Sequence, residues 1–156
     1  MPLAEQLYFE DFRIGDRFRA PSRTLTDAHF LFFAGLTGDN HPIHYDVEYA
    51  RRTRFGRPVA HGLLLVAMTA LGAGPLASRI EESIVAFAEQ SARFLAPAFV
   101  GDTIYPELEV LELTPRTTTG LVTFAARLRN QRGELLLDGV HRYIIKRRPA
   151  QEEPHD

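Results

Sequence analysis

The chain has 156 residues, 45% of them hydrophobic and 24% charged, and a formal net charge of −2 at neutral pH. That length allows one domain with a sizeable core, and the charge balance excludes the strongly basic surface typical of nucleic-acid-binding domains. Cysteine is absent, which excludes disulfides, thiolate nucleophiles and cysteine-bound zinc and fits a reducing compartment.

The opening stretch, Met1–Phe12, carries Glu5, Glu10 and Asp11 and lacks the basic-then-apolar pattern of a secretion signal, so a cytoplasmic location is expected. Arg17–Leu25 reads as a short strand. Thr26 is placed to cap a helix through its hydroxyl, with Asp27 in the first turn. Phe30, Phe33 and Ala34 follow at helical spacing, and Gly35 and Gly38 close the element. A loop over Asp39–Asp46 leads to a short helix around Val47–Arg52. The linker Phe55-Gly56-Arg57-Pro58 precedes the longest uncharged run, Gly62–Ser78. This run is shorter than the ~20 residues that span a bilayer and is interrupted by Gly72, Gly74 and Pro75. It shows no polar face, so it reads as a long apolar helix wrapped by other structure, with no membrane partner.

From Ile84 the pattern turns to β. Ile84–Leu95, Thr103–Leu113, Thr117–Arg129 and Leu135–Lys146 read as four strands, joined through Pro97 and Gly101, Pro115, and Asn130-Gln131-Arg132-Gly133. Leu108, Val110 and Leu113 alternate with Glu107, Glu109 and Glu112. Four sequential strands at hairpin spacing imply an antiparallel sheet with a helix on one face, an α+β architecture. A single domain over residues 1–148 is expected. The tail from Arg147, basic and then acidic with two prolines, is expected to fray, with disorder over 149–156.

The chemistry concentrates in Gly38-Asp39-Asn40-His41-Pro42-Ile43-His44. Pro42 fixes its own φ and turns His41 away from the α region, so the segment must run as a loop. Such a loop can bring Asp39 and His44 around one water, as a general acid/base pair. Two histidines and a carboxylate can also make an open metal site, although Pro42 between His41 and His44 disfavours it.

Residues Phe33–Gly62 resemble the MaoC-like dehydratases, which include the (R)-specific enoyl-CoA hydratases. The family pattern Gly-Asp-x-Asn-Pro-(Leu/Ile)-His stands here at residues 38–44, followed by Phe55, Arg57-Pro58 and Ala60-His61-Gly62. Tyr8–Phe12 with Ile14-Gly15-Asp16 resembles the family's opening, and Phe94, Pro97 and Val100-Gly101-Asp102 its strand-turn-strand signature. One position departs: the usual asparagine is His41.

The resemblance implies a hot dog fold, a sheet wrapped around a central helix, and a homodimer or higher homo-oligomer. It implies reversible addition of water to a trans-2-enoyl thioester of CoA or a carrier protein, with no metal and no cofactor beyond the CoA of the substrate. Asp39 and His44 would activate the water and return a proton, and the N–H of Gly62 would hold the thioester oxygen. A glycine at a helix entrance suits that last role independently, because unpaired N–H groups meet a closely approaching ligand there. Substrate contacts are expected from His41, His61 and Arg57, with Arg51 and Arg54 available to CoA phosphates. Acyl-CoA thioesterases and non-catalytic acyl-thioester-binding subunits are the competing readings.

Overall fold

The computed structural model of the chain describes residues 4–150. Its main sheet runs in the order β1 (Arg17–Arg19), β4 (Thr103–Pro115), β5 (Thr119–Arg129), β6 (Leu135–Lys146) and β3 (Ile84–Phe94). All neighbours are antiparallel, and the two-residue β2 (Arg23–Thr24) also pairs with β4. The helices are α1 (Asp27–Thr37), α2 (Val47–Arg51), α3 (Gly62–Ala67) and α4 (Leu76–Arg79). This is the α+β hot dog arrangement expected from the sequence.

Strand β4 shows why the sheet has one dry face. Ile104, Pro106, Leu108 and Val110 point inward and are buried, while Glu107 and Glu109 point outward. The next apolar side chain on the inner face, Leu113, comes after three residues rather than two. A register shift between Val110 and Glu112 absorbs the extra residue, leaving Leu111 largely exposed and packing Leu113 against the core.

On the outer face, directly paired residues form a charged row across five strands: Arg19, Glu107, Arg127, Asp138 and Arg93. Its contacts include Arg19–Glu107 at 2.9 Å and Arg93–Asp138 at 3.0 Å, with Arg17 and Arg127 also reaching Glu109. Opposite charges facing each other across neighbouring strands favour this register.

Three expectations need correction. The strand over Arg17–Leu25 is two short pieces separated at Pro21, and Leu25 returns to the core. The long apolar helix is broken. After α3, the Thr69 hydroxyl takes the Val66 carbonyl at 2.6 Å, a 3-10 turn follows over Leu71–Ala73, and Gly74 is extended before Pro75 starts α4. A side-chain hydroxyl competing for a helix carbonyl and a proline without N–H are sufficient causes. Finally, Arg147 and Arg148 do not fray: they pair with Glu10 and Asp11 at 2.8 and 2.6 Å. The remainder of the tail, from residue 151, lies outside the described residues.

The expected wrapping is also only partial: the broken segment is covered on one side, and Leu63 is left 65% exposed. Leu71, Leu76 and Ile80 join Phe12, Phe124 and Ile145 in one core cluster, and Leu64 and Leu65 join Leu25, Phe30 and Leu128 in another. Among the described residues, no helix is long and apolar enough to cross a membrane.

Strand β6 places an imidazole in the core, His141, only 2% exposed. Its Nε2–H donates to the Thr69 hydroxyl at 3.2 Å, because that hydroxyl's own proton goes to Val66. Nδ1 has no partner among the described residues, and burial pushes the ring down to about 4. This folded-state value lies below the ordinary ~6.5, so in the window between them the unfolded chain holds the extra proton. The neutral ring therefore contributes stability that is complete above pH ~6.5 and is lost as pH falls toward about 4. In urea melts across that window, the wild type is expected to lose on the order of 3 kcal/mol more than His141→Leu. Parallel pH curves for the two proteins would refute the assignment.

Candidate active site

Helix α1 ends at Gly38, whose φ of +76° carries the chain into a left-handed cap while its N–H bonds to the Ala34 carbonyl at 2.8 Å. Glycine takes that conformation without the strain a Cβ would impose. At the other end of α1, Thr26 is the N-cap as expected, in a capping box whose reciprocal partner the sequence did not suggest. The side chain satisfying Thr26 is His29, whose Nδ1 accepts from the Thr26 N–H at 2.9 Å and lies 3.0 Å from its hydroxyl.

After Gly38, the loop is stitched to the segment ahead of α3. His41 is extended before Pro42, and its Nδ1 accepts from the Ile43 N–H at 3.2 Å, capping the 3-10 turn Pro42–His44. His44 Nδ1–H donates to the Val59 carbonyl at 2.7 Å, and the Val59 N–H donates to the Ile43 carbonyl at 3.2 Å. His44 Nε2 is therefore the ring atom left for chemistry. The bond to Val59 fixes the tautomer, as second partners of catalytic imidazoles do.

His61, the residue before α3, is 1% exposed and joins the two parts. Its Nε2–H donates to the Asp39 carbonyl at 3.1 Å, and its ring stacks on His44 with centroids 3.7 Å apart and planes 20° from parallel. Burial pushes its imidazole below the ordinary value, with the neighbouring charge of His44 acting the same way, while the Asp39 carbonyl and carboxylate oppose it. Donor atoms of Asp39, His44 and His61 all lie within 4.8 Å of one another.

That cluster has metal-ligand composition without metal-ligand geometry. Imidazole lone pairs lie in the ring plane, and two nearly parallel planes 3.7 Å apart do not converge on an ion needing bonds of ~2.0–2.1 Å. One nitrogen of each ring is already committed to a carbonyl.

Gly62 opens α3 and lines a cavity of about 300 Å³ together with Arg54, Phe55, Leu65, Phe94 and Pro97. A Cβ at Gly62 would sit 3.1 Å from two atoms of the Phe94 ring, so the backbone there is closely approached from β3. Arg54 stacks on Phe55 at 4.7 Å and Arg57 on Phe99 at 3.9 Å. Arg51 is exposed and paired with Glu48. The structure thus brings Asp39, His44 and His61 into one cluster and sets Gly62 and Arg54 on the adjoining cavity. It leaves His41, Arg51 and Arg57 exposed, His41 with its ring edge toward Tyr49 at 5.6 Å.

The model of the MaoC like domain matches residues 11–131. The chain belongs to the MaoC-like family. It is similar to the (R)-specific enoyl-CoA hydratase of Aeromonas caviae, 32% identical over 83% of this chain and 92% of that protein. It is 30% identical to the 3-hydroxybutyryl-CoA dehydratase of Methylorubrum extorquens, over 89% of this chain and 84% of that one. Among solved structures, the monoamine oxidase regulatory protein of Archaeoglobus fulgidus superposes with a TM-score of 0.88 at 36% identity, covering 96% of this chain and all of that one.

For this MaoC-like chain, sequence reasoning placed His61 among substrate contacts and did not anticipate its stacking on His44 or the cover that Phe94 gives Gly62. The one available signal was the His61-Gly62 pair at a helix start, which says where a ring begins but not what it lies against.

Stacked rings predict weak metal binding. Titration of the protein with zinc by calorimetry is expected to detect no site tighter than about 0.1 mM. A stoichiometric micromolar site that disappears in His61→Phe would show that the rings open to chelate.

Proposed function

We propose that this protein hydrates a trans-2-enoyl thioester reversibly, with Asp39 and His44 as the acid/base dyad. The observation carrying this reading is the Asp39 carboxylate within 4.8 Å of the His44 imidazole, whose Nδ1 is held by Val59 so that Nε2 is free. Membership of a family whose relatives are hydratases and dehydratases supports it.

The reaction adds water across the conjugated double bond. The dyad holds one water and takes its proton as the oxygen bonds to the β-carbon. Electron density moves onto the thioester oxygen, where the N–H of Gly62 stabilises it. A proton returned by the dyad to the α-carbon then completes the 3-hydroxyacyl product. A positioned acid/base contributes roughly 10²–10⁴-fold and an oxyanion donor ~3 kcal/mol. No metal or separate cofactor enters; the CoA or carrier arm comes with the substrate. Arg54 at the cavity, with Arg57 and Arg51 beyond it, supplies guanidinium groups for the phosphates of that arm. Stacking on Phe99 leaves the in-plane N–H donors of Arg57 available.

His41 keeps the local fold that the family's asparagine would provide. Either side chain offers an acceptor to an N–H two residues on, and His41 Nδ1 does so with Ile43. Its ring is bulkier and ionisable, which makes it a determinant of acyl preference and acid-side response rather than the base.

In an enoyl-CoA bleaching assay, Asp39→Asn and His44→Ala are each expected to lose at least ~100-fold in turnover, non-additively in the double variant. His41→Asn should keep at least about a tenth of the rate. Release of free thiol instead of loss of the enoyl absorbance would point to a thioesterase, and near-wild-type turnover in either dyad variant would remove the dyad.

A homodimer joined through β3 is also proposed. Among the described residues, strand β3 pairs only with β6, leaving its other edge free; it exposes Val85, Phe87 and Phe94, with Leu95 just beyond its end. Sedimentation at micromolar concentration should give twice the chain mass; a monomer would refute it.

A further inference from the structure

We propose that His61 is the positioning residue of this site: a buried, neutral ring that holds both members of the dyad from behind and touches no substrate. The inference rests on the proposed dyad for its catalytic meaning, but the holding itself is a statement about geometry.

Three observations carry it. The Nε2–H of His61 donates to the backbone carbonyl of Asp39 at 3.1 Å, which fixes the peptide that aims the Asp39 carboxylate. The face of the same ring lies on the His44 ring at 3.7 Å, which fixes the plane in which His44 Nε2 points. Behind it, α1 supplies Phe33 at 4.9 Å and Phe30 at 6.3 Å, so the ring has little room to yield. At 1% exposure it meets no solvent.

The tautomer follows from these contacts. With Nε2 carrying the proton to Asp39, Nδ1 of the neutral ring is bare, and it is buried without a partner among the described residues. A second proton would place an N–H where no acceptor stands and would set two cationic rings face to face whenever His44 is charged. The titratable groups facing His61 are Asp39 and His44; the side chains from α1 are apolar. His61 thus stays out of proton transfer while His44 takes part in it. Both dyad residues lie on an irregular loop, where side-chain direction is otherwise loosely held. Misplacing reacting groups by ~1 Å can cost ~10²-fold, so a fixed backing is worth that order in rate.

Two variants separate the two contacts. His61→Phe keeps a ring against His44 and removes the donor to Asp39. His61→Gln keeps a donor and removes the ring. Each is expected to lower kcat about 10- to 100-fold with KM changed less than about threefold. His61→Gln should in addition reshape the pH profile of kcat, because the face of His44 is then open to water. A slowly exchanging imidazole N–H proton should be visible by NMR in the wild type and absent from His61→Phe. Amide exchange over residues 38–44 should quicken in both variants while the thermal midpoint of the sheet is retained.

Unchanged kcat in both variants would overturn the proposal, as would a loss confined to KM. Unchanged exchange over 38–44 would overturn it without reference to activity. A wild-type protein that hydrates no enoyl thioester would remove the functional reading alone, leaving the exchange and NMR measurements to decide whether His61 holds the loop.

Discussion

The apolar side of the segment from Gly62 to Ser78 cannot remain in water, and most of the architecture is an answer to that constraint. At roughly 25 cal/mol per Å² of buried apolar surface, side chains such as Leu64, Leu65, Leu71 and Leu76 each contribute on the order of 2 kcal/mol when covered. Cover comes from the inner faces of β4, β5 and β6, and from Phe9 and Phe12 ahead of the sheet. Once the segment is fixed there, its first residue has a fixed address. His61 and Gly62 stand at the head of the buried segment, so the loop that bonds to them has a rigid edge to settle on. A loop without regular structure acquires a definite geometry because its partner is part of the core.

Breaking the segment matters for the same reason. The departure at Thr69 frees that hydroxyl to accept from His141, which would otherwise be a buried imidazole with neither nitrogen satisfied. Helix regularity is thus exchanged for a polar contact in the core, and the cost reappears as acid sensitivity. The site contains a second buried imidazole, His61, also with one bare nitrogen. One histidine is tied to the fold and the other to the loop, and both are held neutral by the same cause, the loss of water around the ring.

Much of this was legible in the residues. Strands β3–β6 follow alternation and turn chemistry, and the loop follows from Pro42 and Gly38, whose backbone preferences act locally. Asp39 and His44 could be named because they lie in one contiguous run. What was not legible depends on contacts distant along the chain. The stacking of His61 on His44 requires the approach of α3 to the loop, and the cover of Gly62 by Phe94 requires β3 to end beside α3. The helix break was marked by Gly72, Gly74 and Pro75, yet an unbroken apolar pattern outweighed them, because periodicity reports burial and does not report whether the backbone bonds run on. The His29 cap was hidden since histidine is an unusual replacement for the carboxylate or amide that reaches back to an N-cap. Arg147 and Arg148 read as a solvated tail because their acidic partners sit near the opposite end of the chain.

The charged row on the outer face of the sheet limits how the molecule can be crowded. A second sheet laid flat on it would have to strip water from Arg19, Glu107, Arg127, Asp138 and Arg93 together, and desolvating ion pairs seldom returns what it costs. Lamellar stacking, the route by which exposed sheets condense into fibrils, is therefore closed on this side. The barrier is also anisotropic. Added salt screens the row and lowers it, while the apolar edge strand feels salt in the opposite sense, so the outer face and the open edge of the same sheet should govern colloidal behaviour in different ionic regimes.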